Sequence, residues 1–461
     1  MKAPTRISIV NGRLVDPASE RDRPGGPDSA LHVAEGRIVA IGAAPDGFEA
    51  ERLIDASGCV VAPGLLDLAA RLREPGFEYK ATLESEMRAA AAGGVVGLAC
   101  PPDTDPPLDE PGLVEMLKYR ARGILGTRLY PLGALTVGLR GEKITEMGQL
   151  SEAGCVGFSQ AQSPVLDTQV LMRAMQYART YGFTVWLHPQ DPHLARGGVA
   201  HAGHYASRLG LPGVPVIAET VALNTIFDLV RETGCRVHLC RLSSAAGLEL
   251  VRRARAEGLP VSCDVSVHHL HMIDLDIGFF DSNSRVDPPF RSQRDRDAIR
   301  AALLDGTVDA ICSDHTPVDD DAKQLPFGEA EPGVTALELL LPLTLKWAEE
   351  AGVPLTRALG KLTRGGAAVL GLGDEYGRLQ AGGAADLCIF DPRESWVVTP
   401  ATLLSQGTHT PYLGRELQGR VRATIVEGRL VHERDPAVAT EARAADRVPE
   451  VPLGAIGQRL L

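Results

Sequence analysis

Short apolar runs broken by turn residues open the chain. Residues 1–55 contain three β-like runs, which are interrupted by glycine, asparagine and proline where turns are expected. The runs read ISIVNGRLVD, LHVAEGRIVAIG and AERLIDASG. This pattern predicts a small β-sheet at the start of the chain rather than a helical domain.

From residue 56 the periodicity changes, and short apolar runs alternate with amphipathic helical stretches. Strand-like runs include VVGLAC, FTVWLHP, LPVSCDVSV and VDAICSDH, and helix-like stretches include YKATLESEMRAAAAGG and AGLELVRRARAEG. Strands that alternate with helices are typical of parallel α/β folds. We therefore predict a parallel βα barrel over residues 56–376, in which functional side chains follow the carboxyl ends of the strands.

β character returns after the barrel. Residues 377–433 contain the strand-like stretches GRLQAGGAADLCIFDPRESWVV and GRVRATIVEGRLVHE. We expect these strands to pair with the N-terminal ones in one composite β-sandwich module, with the barrel inserted between its two halves. Residues 434–461 are rich in proline and alanine and are predicted to form a weakly structured tail.

Net charge, apolar stretches and cysteine spacing indicate where the chain works and which partners to expect. The formal net charge is -12, which argues against a nucleic-acid surface because phosphate binding needs clustered lysine and arginine. No apolar stretch resembles a signal peptide or approaches the roughly 20 residues of a membrane span. We expect a cytoplasmic chain with no nucleic-acid or membrane partner. The eight cysteines form no C-x-x-C pair, and we interpret them as reduced core thiols.

One long string carries a family resemblance. The segment Asp67–Gly94, DLAARLREPGFEYKATLESEMRAAAAGG, resembles the dihydroorotase signature. Ordered matches follow along almost the whole chain: PPDT, SRLGLPGVP, VHLCRLSSAAG, VSVHHLHM, DPPFR, CSDHTP and GTHTPYLGRELQGRVRATIVEG. The resemblance implies an α/β fold with a (β/α)8 TIM-like barrel of the amidohydrolase type. It also implies kinship with metal-dependent cyclic amidases that hydrolyse or close the dihydroorotate ring in pyrimidine biosynthesis.

The resemblance also implies that most ligands of the zinc site are lost. Where the family has H-x-H after the first barrel strand, this chain has Ala69 and Arg71. Alanine offers no lone pair, and arginine stays protonated and presents only donors. Arg241 occupies a further ligand position. The bridging lysine or aspartate of the family is also missing at its candidate positions, which are Gly157, Gln160 and Ala161.

Two metal-binding positions keep a suitable residue. His188 matches a family ligand, although Gln190 stands where an acidic residue is expected. Asp314 matches the last metal ligand and general base. We therefore expect no bound cofactor and no catalytic residue, with His188 and Asp314 as vestiges. The segment His268–His271 is not expected to bind a metal, because neighbouring residues on an extended strand point to opposite faces.

The positions that bind substrate in the family are mixed. Arg73 matches the arginine that grips the substrate carboxylate, a role suited to its planar pair of donors. Asp103 and Asp287 stand where the family has asparagine, and their charge disfavours an anionic substrate. Val318 replaces a loop histidine. Arg73 is therefore a possible vestigial anchor in a degraded substrate site.

The resemblance implies that Arg71 and Arg241 stand where dihydroorotases hold two divalent cations. A buried carboxylate without a partner is costly. We therefore hypothesise that both guanidinium groups pair with Asp314 and replace the lost charge.

Three functions stay open. The first is a non-catalytic homologue in pyrimidine biosynthesis that forms a hetero-oligomer with the aspartate carbamoyltransferase catalytic chain, as the dihydroorotase-like chains it resembles do in some bacteria. The second is an active cyclic-amide hydrolase with a reduced or metal-free site, in which Asp314 is the base and an arginine stabilises the oxyanion. The third is a ligand-sensing pseudoenzyme that uses Arg73 as its anchor.

Overall fold

The strands follow the order that the hydrophobic pattern predicts. The computed structural model describes residues 6–124, 126–373 and 376–434. The first strands are β1 (Ile7–Val10), β2 (Arg13–Asp16), β3 (Arg21–Arg23), β4 (Leu31–Ala34), β5 (Arg37–Ile41), β6 (Arg52–Asp55) and β7 (Val60–Pro63). The next are β8 (Leu65–Asp67), β9 (Val95–Cys100), β10 (Arg128–Ala134), β11 (Gly157–Ser159), β12 (Thr184–Leu187), β13 (Ala200–His201), β14 (Gly213–Val214), β15 (Arg236–Leu239), β16 (Val261–Ser266) and β17 (Ala310–Cys312). The last are β18 (Leu387–Val397), β19 (Glu416–Val426) and β20 (Arg429–Glu433).

Helices separate most of the central strands. They are α1 (Leu83–Ala92), α2 (Pro111–Arg122), α3 (Met147–Ala153), α4 (Thr168–Tyr181), α5 (His204–Leu209), α6 (Val216–Thr233), α7 (Ala245–Ala256), α8 (Gln293–Leu304), α9 (Asp320–Gln324), α10 (Leu340–Ala351), α11 (Leu355–Leu362) and α12 (Arg364–Leu370). Local sequence sets their ends: Asp167 accepts hydrogen bonds from the first turn of α4, and Gly182 ends that helix at a φ of 74°. Among the described helices, none combines the length and apolar character needed to cross a membrane.

Eight parallel strands form a nearly closed barrel in the order β17-β16-β15-β12-β11-β10-β9-β8. The two outer strands are joined just beyond their ends, where the Arg71 amide donates to the His315 carbonyl at 2.9 Å and the His315 amide donates to the Ala69 carbonyl at 3.0 Å. All six residues of β9 are buried, as expected for parallel strands that are covered on both faces. The predicted (β/α)8 TIM-like fold is confirmed.

A β-sandwich built from both chain ends flanks the barrel. One sheet has the order β20-β19-β18-β7-β2-β3 and the other has the order β5-β4-β1-β6. Strand β7 pairs with β18 on one side and β2 on the other, so the two chain ends meet in one sheet. Apolar side chains of both sheets form a shared core that includes Ile9, Leu31, Val61, Leu387 and Ile425.

The barrel begins later than the sequence pattern indicates. The predicted limit at residue 56 counts Val60–Pro63 with the barrel, whereas this strand pairs in the sandwich sheet. The change of sheet falls at Gly64, where an added Cβ would lie only 2.1 Å from a methyl carbon of Val96. An apolar run predicts a buried strand but not which sheet it joins, and this is why the limit is misplaced. The predicted tail lies outside the described residues, apart from Arg434.

One ion pair ties the barrel to the sandwich. Arg128, at the start of β10, donates to the two carboxylate oxygens of Asp386 at 2.6 and 3.0 Å. Asp386 directly precedes β18 and also accepts from the Glu427 amide at 2.8 Å. Its side chain is only 6% exposed. Bidentate pairs of this kind fix orientation as well as charge.

Replacing Arg128 with methionine should lower the free energy of unfolding by about 2–3 kcal/mol, because Asp386 would keep a buried charge without its partner. Urea denaturation followed by circular dichroism measures this loss. Arg231→Met is the matched control, because Arg231 pairs with Asp228 and Glu257 on an exposed surface and should lose less than about 1 kcal/mol. Equal losses in the two variants would contradict the assigned role of Arg128.

Candidate functional site

Loops after four different barrel strands bring most of the predicted site residues together. Arg71 follows β8, His188 follows β12, Arg241 follows β15 and Asp314 follows β17. All these positions lie at the carboxyl ends of the strands, where barrels of this class carry their function. The site predicted from sequence is therefore one place in the structure.

Asp314 lies between the two arginines. Arg241 donates from Nη1 to Asp314 Oδ1 at 3.0 Å, and Arg71 Nη1 lies 3.9 Å from the same oxygen. Arg71 Nη1 also donates to Thr316 Oγ1 at 3.0 Å. The hypothesised pairing is therefore present, as a hydrogen bond from Arg241 and as a longer ion pair with Arg71.

The charge of Asp314 is buried at a cost. Burial raises the pKa of the Asp314 carboxyl above its ordinary value, and Arg241 and Arg71 offset part of this rise. Arg71, Arg241 and Asp314 are each about 95% buried. The two guanidinium groups are thus the means by which this carboxylate is tolerated inside the barrel.

The backbone around the pair is held in an uncommon conformation. Arg241 and Asp314 have positive φ values of 55° and 53°, which non-glycine residues seldom adopt. The Arg241 amide donates to Asp264 Oδ1 at 2.6 Å. Such strain persists where surrounding contacts determine the geometry, and it is common at present or former functional sites.

Asp264 and His238 form a supporting layer beneath the arginine. His238 Nε2 lies 3.0 Å from Asp264 Oδ2, and His238 Nδ1 lies 2.8 Å from Ser262 Oγ. Asp264 thus links His238 to the backbone of Arg241. The sequence reasoning missed Asp264, although an acidic residue inside the apolar run of β16 was a usable signal.

Asp103 and Asp287 accept hydrogen bonds from polar side chains of the site. Arg71 Nε donates to Asp103 Oδ2 at 2.8 Å. Burial works to raise the pKa of Asp103, but the charge and hydrogen bond of Arg71, together with the charges of Arg73 and Arg241, hold that pKa below its ordinary value. Gln190 and Gln162 donate to the two carboxylate oxygens of Asp287 at 3.2 and 3.0 Å. Each aspartate is therefore hydrogen-bonded to other side chains of the site.

The remaining metal-ligand positions hold neutral groups. His188 Nδ1 lies 3.3 Å from the Cys240 carbonyl. Burial lowers the pKa of His188 to about 4, and the charge of Arg241 adds to this effect. Gln160 Oε1 accepts from Thr136 Oγ1 at 2.9 Å. Within the described part of the chain, the buried atoms His188 Nε2 and Gln160 Nε2 have no hydrogen-bond partner.

Arg73 is engaged by its own chain. Its Nε donates to the Pro317 carbonyl at 2.9 Å, and its Nη2 lies 3.7 Å from Glu331 Oε1. Glu331 is also paired with Lys80 at 2.6 Å. Burial lowers the pKa of Arg73 below its ordinary value. Its role as a substrate anchor stays a prediction.

The histidines after β16 do not converge on one point. His269 Nε2 lies 3.3 Å from the Pro289 carbonyl, and His271 Nε2 lies 2.8 Å from the Leu343 carbonyl. The geometric reason given by the sequence is wrong, because Val267–Leu270 form a 3-10 helix and not an extended strand. Across the described ranges, no group of three or more His, Cys, Asp or Glu side chains is placed to hold a metal ion.

The donor chemistry of the site does not fit a zinc pair. Ala69, Arg71 and Arg241 stand at positions that need lone-pair donors, and they have none to offer. A small cavity beside Asp314 has roughly the space of one water molecule. Its lining residues are Gln162, Val286, Asp287, Asp314, Thr316, Pro332, Gly333 and Val334.

Comparisons with known proteins agree with this fold. The family model described as dihydro-orotase-like matches residues 58–246, and a model described as amidohydrolase family matches residues 166–432. A dihydroorotase-like protein of Pseudomonas aeruginosa is 46% identical over 93% of this chain and 99% of that protein. A dihydroorotase of Geobacter sp. (strain M21) is 37% identical over 93% of this chain and 99% of its own length. The solved L-hydantoinase (dihydropyrimidinase) from Arthrobacter aurescens matches with a TM-score of 0.81 at 24% identity, covering 93% of this chain and 96% of that structure.

Replacing Arg241 with methionine should lower the free energy of unfolding by about 3 kcal/mol at pH 7, because Asp314 would lose its hydrogen-bonded partner. Since the folded-state pKa of Asp314 is raised, stability falls as pH rises through the window above the unfolded-state pKa. Losing Arg241 should widen that window, so the deficit of Arg241→Met should be smaller at pH 5 than at pH 7. Urea titrations at the two pH values measure this difference.

Two further variants control this experiment. Arg252→Met removes a guanidinium whose ion pairs lie on the surface and should lose less than about 1 kcal/mol at either pH. Adding Asp314→Asn to Arg241→Met should remove the extra dependence on pH. A deficit that is independent of pH in Arg241→Met would show that Asp314 is not the group affected.

Proposed function

We propose that this chain is a non-catalytic subunit of an enzyme complex in pyrimidine biosynthesis. The chain belongs to the amidohydrolase family as a dihydroorotase-like member. In this proposal the barrel is kept as a scaffold and binds no zinc. The hydrogen bond from Arg241 to Asp314 is the observation that carries the proposal.

The chemistry of a guanidinium explains why this observation matters. Zinc in such barrels supplies a vacant coordination position and lowers the pKa of the water bound there. Arg241 and Arg71 supply positive charge but no coordination position, and they hold the carboxylate that would otherwise act as base. The small cavity that Asp314 lines has roughly the space of one water molecule.

The proposed partner is the catalytic chain of aspartate carbamoyltransferase, in a hetero-oligomer. The motifs of this sequence resemble those of inactive dihydroorotase-like chains that assemble with that enzyme, which acts one step earlier in the pathway. A filled site within an intact barrel supports a role that depends on the surface of the protein.

An active dihydroorotase is the second candidate. Several relatives that are 36–39% identical carry the name dihydroorotase, and Asp314 is present at the position of the general base. In this alternative Asp314 must leave Arg241 before it can accept a proton. The sensing alternative is less favoured, because the Pro317 carbonyl and Glu331 already engage Arg73.

A turnover assay separates the two candidates. With zinc added, the purified chain should hydrolyse dihydroorotate no faster than its Asp314→Ala variant, because no metal-bound water can form. An active dihydroorotase assayed in parallel provides the positive control. Turnover that requires zinc and is lost in Asp314→Ala would establish the enzyme and overturn the non-catalytic proposal.

Assembly tests the partner. Mixing the chain with the aspartate carbamoyltransferase catalytic chain of the same organism should give one larger species in size-exclusion chromatography with light scattering. Carbamoyltransferase activity should rise when the complex forms. A carbamoyltransferase that is fully assembled and active without this chain would contradict the scaffold role.

A further inference from the structure

Two phenylalanines stand on the surface in the loop between β16 and α8. Phe279 is 93% exposed and Phe280 is 38% exposed. Their rings pack edge to face with centroids 5.5 Å apart. Residues 273–284, which carry this pair, are called the aromatic loop below. A large aromatic side chain left almost wholly in water favours a contact with another surface.

The aromatic loop is held in place from below. Ile277 is buried in a small cluster with Val199, Ala206 and Phe327. Tyr205 Oη donates to the Gly278 carbonyl at 2.9 Å. These contacts fix the base of the loop without using the Phe279 ring. A loop held in this way loses little conformational entropy when it binds.

The backbone at the aromatic pair is strained. Phe280 has a φ of 62°, and a bulky side chain in this region is a genuine outlier. The Asp281 amide donates to the Ile277 carbonyl at 3.0 Å, and Ser282 Oγ donates to the Lys323 carbonyl at 2.6 Å, so the two residues after Phe280 hold the strained turn. Strain of this kind is concentrated at binding and switch sites.

The aromatic loop carries acidic residues on both sides of the phenylalanine pair in sequence. The aromatic loop contains Asp274, Asp276 and Asp281 and has no lysine or arginine. The nearby Lys323 is turned inward, because its Nζ donates to the carbonyl oxygens of Ser282 and Arg285 at 3.0 and 3.2 Å. The loop therefore presents an apolar tip beside the exposed carboxylate of Asp281, and its own residues carry only negative charge.

We propose that the aromatic loop is the element by which this chain docks on its protein partner. The partner surface that fits is an apolar pocket edged by lysine or arginine, since aromatic anchors dominate interfaces and complementary charge guides association. The inference rests on the proposed function, which makes the aspartate carbamoyltransferase catalytic chain that partner. The loop follows β16, so it extends from the same end of the barrel as the arginine-filled site.

Phe279→Ser tests the apolar tip. The dissociation constant of the complex, measured by sedimentation or calorimetry, should rise at least about tenfold, as expected for a central aromatic anchor. Tyr119→Ser is the matched control, because Tyr119 is 79% exposed on α2 and should change the constant by less than about threefold. Unchanged thermal unfolding of both variants verifies that the fold is intact.

Asp281→Asn tests the negative charge beside the two rings. The Asn283 amide donates a hydrogen bond to Asp281 Oδ1, and the side-chain oxygen of an asparagine can still accept it. The variant should bind about threefold more weakly, and its affinity should depend less on salt. Asp167→Asn is the control, because Asp167 is an exposed aspartate that caps α4 in the same way and should leave affinity and salt dependence unchanged.

The outcomes separate this inference from the proposed function. A complex that forms with the unaltered chain and binds Phe279→Ser equally well would overturn the docking surface while the scaffold function stands. If Phe279→Ser instead abolishes self-association of this chain and leaves the complex intact, the occupant is a second copy and the proposal is wrong. No complex with the unaltered chain would overturn both.

Discussion

The hydrogen bond from Arg241 to Asp314 is the interaction on which the rest of the site depends. A carboxylate buried at the mouth of a barrel needs positive charge close by. Arg241 provides that charge at 3.0 Å, with Arg71 behind it. A guanidinium stabilises the carboxylate by its positive charge, but it cannot coordinate a water molecule as a metal ion does. The arginines can therefore preserve the fold without supplying what zinc-dependent catalysis requires.

The supporting contacts extend outward from this pair. Asp264 holds the backbone of Arg241 and is itself held by His238, while Asp103 neutralises Arg71. Asp314, Asp264 and Asp103 are therefore connected through Arg71 and Arg241 in one polar network. These side chains lie at the carboxyl ends of the strands, and the aromatic loop, in which Phe279 is 93% exposed, extends from the same end of the barrel.

Much of the fold was predictable because its signals are local. Apolar runs separated by amphipathic stretches indicated the barrel, and the resemblance to dihydroorotases marked Ala69, Arg71 and Arg241 as replacements in the site. Features that depend on distant partners were not predictable. β7 joins the sandwich through strands far away in sequence, and the role of Asp264 depends on side chains from another strand. The 3-10 helix at Val267–Leu270 was hidden because an apolar run with histidines also fits a strand.

Diffraction at the zinc edge tests the central claim most directly. Crystals of the chain grown with zinc should give no anomalous peak between His188 and Asp314, and the electron density should show the Arg241 guanidinium on the Asp314 carboxylate. A zinc ion bound by His188 and Asp314, with Arg241 displaced, would contradict the claim that arginine has replaced the metal.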